Sequence, residues 1–74
     1  MSALPVVSGR EVVRALAKIG YHLDRQRGSH MILRQRTEPF RRVTVPDHKE
    51  IAKGTLRAII QQVGLSVEEF NDLL

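Results

Sequence analysis

The sequence predicts an α+β fold, a three-stranded antiparallel sheet with helices on one face, in the order α-β-β-β-α-α. Three observations carry that prediction. Two Ser-x-x-Glu spacings, Ser8 to Glu11 and Ser66 to Glu69, open runs with apolar residues at helical period. Three short runs, Tyr21 to Arg27, His30 to Gln35 and Arg42 to Val45, read as strands separated by turn formers. Leu56, Ile59, Ile60 and Val63 then fall at i, i+3, i+4 and i+7, the strongest helical signal in the chain.

Taken in order, Met1 to Val7 is an extended lead. Ser8 caps the first helix, and Val12, Leu16 and Ile19 form its apolar stripe with Val13 and Ala15 beside them. Gly20 is expected at C′, ending the helix. In the first strand, Tyr21 and Leu23 share a face and cover the helix, while His22, Asp24 and Gln26 take the other. The run Met31-Ile32-Leu33 is apolar on both faces, so its phase stays open: His30 either joins Ile32 on a core face or escapes it at the strand end. Pro39 makes Arg36 to Arg41 a loop. Val43 and Val45 face in, Arg42 and Thr44 face out, and Pro46 ends the strand. The stretch Glu50 to Lys53 has room for a single turn. Gly54 or Thr55 is expected near the N-cap of the next helix, with Gly64 at its C-terminus. Val67, Phe70 and Leu74 form the buried stripe of a last short helix, with Leu73 alongside.

The 74 residues suit one domain, expected to span 1–74, with a thin core. The chain has no cysteine, which removes disulfides and thiolate metal sites and fits a reducing compartment. No apolar run approaches a membrane span and no secretory signal is visible, so the expected location is cytoplasmic. Twelve Lys and Arg against eight Asp and Glu give a net charge of +4. The charge is uneven: eight bases and three acids lie between Arg25 and Lys53, while Gly64 to Leu74 holds three acids and no base. A basic middle suits a polyanionic partner.

The candidate chemistry centres on Arg27-Gly28-Ser29-His30, a tight turn between two strands. Gly28 tolerates positive φ, Ser29 brings a hydroxyl, and histidine is the side chain suited to proton exchange near neutrality. None of the three histidines, His22, His30 and His48, is spaced as a helical metal-binding pair, and no glycine-rich phosphate loop is present. Ser29 and His30 are adjacent strand residues whose side chains point apart, which argues against a hydrolase triad. RNA supplies its own nucleophile, the 2′-hydroxyl. A histidine able to take or give a proton, with nearby cations to stabilise the phosphorane, could cleave it without a metal. Lys53 at a helix N-terminus, Arg57 one turn along, Lys49, and the stripe Arg10, Arg14 and Lys18 are candidate phosphate contacts.

These residues also carry a resemblance. Ser8-Gly9-Arg10-Glu11, Gly20-Tyr21, Arg27-Gly28-Ser29-His30, Val43-Thr44-Val45-Pro46, His48, Lys53-Gly54-Thr55-Leu56-Arg57 and Gly64 to Phe70 follow one another in an order and spacing similar to the HicA toxins. Those are small messenger-RNA interferases of bacterial and archaeal toxin–antitoxin systems. The resemblance implies a double-stranded-RNA-binding-domain-like fold, His30 as the catalytic residue, and an active-site turn of Arg27, Gly28 and Ser29. It also implies messenger RNA as substrate, no cofactor, and a HicB-like antitoxin that covers the active surface. Many relatives carry a second histidine directly after the catalytic one, where this chain has Met31. The loop Arg36 to Arg41 is longer than is common in the family, and Asp47 to Lys53 is shorter. The expected function is therefore a metal-independent endoribonuclease toxin using His30. The alternative is a non-catalytic module of the same fold that binds RNA or the antitoxin.

Overall fold

The computed structural model describes residues 3–74, so Met1 and Ser2 of the extended lead lie outside the described residues. Helix α1 (Gly9–Ala17) opens on a reciprocal cap: the Ser8 hydroxyl accepts from the Glu11 N–H at 3.1 Å, and the Glu11 carboxylate accepts from the Ser8 N–H at 2.9 Å. The N–H groups of Lys18, Ile19 and Gly20 reach back three residues, tightening the last turn. This extra turn puts Gly20, at φ 96°, one position beyond the expected C′ site. It also leaves Ile19 exposed rather than in the buried stripe, which is Val12, Ala15 and Leu16.

Strands β1 (Tyr21–Arg27), β2 (His30–Gln35) and β3 (Arg42–Pro46) pair antiparallel in that order. Helices α2 (Lys53–Gln62) and α3 (Val67–Asp72) follow. Val12 and Leu16 of α1, Leu56, Ile59 and Ile60 of α2 and Phe70 of α3 share one core with Tyr21, Met31, Leu33, Val43 and Val45 of the sheet. All three helices therefore pack on one sheet face. The α+β order and open three-stranded sheet match the double-stranded-RNA-binding-domain-like topology. Burying a side chain such as Phe70 or Leu33 completely contributes about 1.5–3 kcal/mol. A core this small therefore depends on a handful of residues.

The register fixes the phase of β2. Met31 and Leu33 face the helices, so His30, Ile32 and Arg34 lie on the opposite, open face. Ile32 is only 7% exposed, yet it stands outside the main core, between Arg25 and Thr44 across the strands. Val43 and Val45 face in and Arg42 and Thr44 face out, as the alternation requires.

In β1 the expected alternation fails partway. The register slips by one residue between Leu23 and Arg25, leaving Asp24 as the extra residue of a bulge. Beyond it the faces exchange. Gln26 pairs with Met31 on the helix side instead of joining His22, and Arg25 and Arg27 move to the open side. Leu23 covers α1 only in part, at 47% exposed.

Two further elements differ from the sequence-based expectation. Helix α2 begins at Lys53, with Ala52 as an N-cap that makes no side-chain hydrogen bond. Neither Gly54 nor Thr55 caps it, and no helical turn occupies Glu50 to Ala52. Instead Ile51 is buried in the core and its N–H donates to the Val7 carbonyl at 2.9 Å. At the C-terminus of α2, the Gly64 N–H reaches Gln61 and the Leu65 N–H reaches Ile60, with Gly64 at φ 76°. That is a Schellman closure, which needs a residue at ease in the left-handed region. Ser66 and Glu69 cap α3 reciprocally, and Phe70 is fully buried, but Leu74 lies past the helix and is exposed.

Candidate active site

The β1–β2 connection has two central residues, Gly28 and Ser29, between the paired Arg27 and His30. Gly28 is at φ 56°, and Ser29 is not among the positive-φ residues. Positive φ at the first central position alone is the II′ hairpin turn, whose twist suits antiparallel strands. The turn leads directly into His30, the first residue of the central strand.

Residues far away in sequence brace this turn. The Gln26 side-chain amide donates to the Gly28 carbonyl at 3.0 Å and to Asp47 Oδ2 at 3.2 Å. Asp47 in turn donates its backbone N–H to the Ser29 carbonyl at 2.6 Å. Arg10 closes the set from α1, its Nε 3.2 Å from Asp47 Oδ1 and its Nη2 3.4 Å from Oδ2. Alongside, the Gly9 N–H donates to the His48 carbonyl at 2.9 Å. The Arg10 hydrogen bond, with help from Gln26, holds the Asp47 carboxyl below its ordinary range, and Asp47 raises Arg10 in return. The Ser8 backbone N–H, and then its hydroxyl contact, likewise lower Glu11.

Gly9 makes the close approach possible. A Cβ there would collide with the Pro46 carbonyl oxygen and crowd the Met31 terminal methyl at 3.1 Å. Pro46 is the β3 partner of His30. The first residue of α1 thus rests on the strand end that flanks the histidine.

His30 itself is exposed, on the open face, with Arg27 of β1 and Pro46 of β3 as its cross-strand partners. The other expected residues separate into groups. Arg10 reaches the turn through Asp47, and Lys49 lines a shallow groove with Ser8, Arg10, Asp47 and His48. Arg14 lines the neighbouring groove with Arg10, Leu23 and Gln26. Lys18 lies at the far end of α1, where its ammonium donates to the Leu73 carbonyl at 2.8 Å. Lys53 and Arg57 lie exposed on α2, Lys53 at its uncapped N-terminus. Asp47 and Gln26 were not among the expected site residues. Gln26 changes face because of the bulge, and Asp47 acts across contacts too distant in sequence to leave a spacing signal.

The family model for the HicA toxin of bacterial toxin–antitoxin systems matches residues 9–65, from the first residue of α1 to just past α2. The chain belongs to the HicA toxin family. No curated protein matches it. The HicA match takes in the turn, His30, Asp47, Lys53 and Arg57, and ends before α3. Membership carries a general toxin role of the messenger-RNA-interferase kind, and HicA-type toxins typically partner with HicB antitoxins. The fold also bears on Met31, where many HicA relatives have a second histidine. Position 31 faces the helices and is 4% exposed, so its side chain points away from the face that holds His30.

Among the described residues, no three His, Cys, Asp or Glu side chains gather as a metal-ligand group. No helix among them is long and apolar enough to cross a membrane.

Proposed function

We propose that this HicA-family chain is an endoribonuclease that cleaves messenger RNA in the cytoplasm, with His30 as its proton-transfer residue. The observation that carries the reading is the exposed His30 at the start of the central strand, directly behind a turn braced by Gln26, Asp47 and Arg10. An exposed imidazole at a strand end whose backbone is braced meets the need of general acid–base catalysis on a large substrate.

In the proposed reaction the 2′-oxygen of one nucleotide attacks its own 3′-phosphorus, and the hydroxyl proton leaves to a base. The bond from phosphorus to the 5′-oxygen breaks, and that oxygen takes up a proton. His30 serves as base, as acid or as both in succession. Arg27, its cross-strand neighbour, stabilises the charge on the phosphorane. Gly28 and Ser29 set the turn and carry no proton. Arg10, Arg14, Lys49, Lys53 and Arg57 hold backbone phosphates and orient the strand without reading bases. Lys18, turned to the Leu73 carbonyl, contributes least among the basic candidates. A HicB-like antitoxin with an acidic surface covers His30 and the basic rim, complementary charge favouring fast and specific pairing.

The products test the chemistry. Purified protein with a messenger-RNA fragment is expected to release ends carrying a 2′,3′-cyclic phosphate or the derived 3′-phosphate, at a rate that a chelator leaves unchanged. Products ending in a 3′-hydroxyl, or a rate abolished by the chelator and restored by a divalent cation, would refute attack by the 2′-hydroxyl under histidine control.

A further inference from the structure

The sheet face turned away from the helices carries a concentration of positive charge that the HicA reading does not use. Arg27 and His30 occupy one end of it, Arg25 and Thr44 flank Ile32 in the middle, and Arg34 and Arg42 pair at the far end. The bulge at Asp24 creates this arrangement, because without it Arg25 and Arg27 would face the helices. Asp24, the one acid in these strands, is 3.7 Å from Arg34 and leaves the other arginines without a carboxylate partner among the described residues.

We infer that this open face binds the single-stranded RNA backbone leading into His30, with Arg25 and Arg42 as phosphate contacts. The inference rests on the ribonuclease reading of His30 and extends it to the path of the substrate. Dimensions and surface chemistry support this occupant. Three strands spaced about 4.8 Å apart make a strip roughly 10 Å wide, enough for one extended chain. Cross-strand rows two residues apart repeat about every 7 Å along the strip, so cations recur along its length. Of the large apolar side chains that are exposed, Leu23 faces the helices, and Val6, Ile19, Phe40 and Leu74 lie outside the strands; Ile32 at the centre of the face is nearly covered. A protein interface has an apolar or aromatic centre, which this face lacks, whereas a polyanion needs only the cations. With no Phe, Tyr or Trp at the strand positions of this face, contact is chiefly to phosphates, and stacking on bases falls to the guanidinium groups and to the imidazoles of His22 and His30.

The test uses a 2′-O-methylated single-stranded oligoribonucleotide, which the protein can bind but not cleave by 2′-attack. Binding is followed by fluorescence anisotropy across a salt series for the wild type, the R25Q/R42Q pair and the charge-keeping R25K/R42K pair. Each lost phosphate contact lowers the slope of log K against log salt by about 0.7, so the glutamine pair should lose about 1.4 and bind far more weakly at low salt. The lysine pair should keep the wild-type slope, which separates charge from folding. A glutamine pair with the wild-type slope overturns the inference, and so does a lysine pair as weak as the glutamine pair. If the glutamine pair keeps RNA binding but loses an acidic antitoxin, the face belongs to the protein partner and the inference is again overturned. None of these results depends on cleavage, so each leaves the assignment of His30 to its own test.

Discussion

Two glycines, one at the start of α1 and one at the start of α2, carry opposite expectations. Gly9 lies against the Pro46 carbonyl, where a methyl group has no room. Gly54 sits in a helix with nothing within 4 Å of an added Cβ and without positive φ. Gly9→Ala should therefore destabilise the protein by about 1–3 kcal/mol, the usual cost of overpacking. Gly54→Ala should stabilise it by about 0.4–1 kcal/mol through the unfolded chain. For a domain of this size each kcal/mol moves the melting temperature by about 4–8 °C, so calorimetry separates the two by sign. The effect of Gly9→Ala should also reach activity, because the displaced Pro46 flanks His30. At the residue scale Gly28 was legible, since a glycine between two strand-like runs calls for positive φ. The role of Gly9 was not, because the backbone it must avoid is thirty-seven positions away in Pro46.

Among the elements, the helices were the most legible because their signals are local. Both Ser-x-x-Glu spacings form the reciprocal caps they predict, and Gly64 closes α2. The start of α2 was not legible, because Ala52 brings no side-chain acceptor and the helix forms through packing of Leu56, Ile59 and Ile60. The face of β1 beyond Leu23 was not legible for a similar reason. A bulge at Asp24 has no glycine to announce it, and one extra residue exchanges every later side chain. Its consequence is the link that joins three elements: Gln26 of β1 and Arg10 of α1 meet at Asp47 just after β3. This link sets a pH dependence. Arg10 and Gln26 lower the Asp47 carboxyl, so its folded value lies beneath its ordinary 3.8. A carboxyl lowered by folding adds stability that is full above the unfolded value and fades as pH falls through the folded one. Asp47→Asn should thus melt below the wild type at pH 7, and the gap should narrow as pH falls from about 5 through the range below 3.8. A gap of constant width in thermal scans at pH 7, 5 and 3 would show that the carboxylate charge contributes nothing to holding the turn.

At the scale of the whole molecule, the helices and the sheet divide the work. Three helices cover one sheet face and supply the core, which leaves the other face and its first residue, His30, open to a large substrate. The fold class was legible from capping, alternation and turn chemistry, and the family from the order of short motifs. The position of His30 was not, because Met31-Ile32-Leu33 is apolar on both sides and only the pairing of β2 with β3 settles its phase. In the proposed reaction His30 transfers protons and holds up little else. It is exposed at a strand end, so its removal should disturb neither the core nor the phosphate contacts. The most direct measurement compares purified wild type and His30→Ala in parallel for RNA cleavage rate, RNA affinity and melting temperature. Loss of one general acid–base residue should slow cleavage by about 10²–10⁴ while affinity and melting temperature stay close to wild type. A folded His30→Ala protein that cleaves RNA at the wild-type rate would contradict the account.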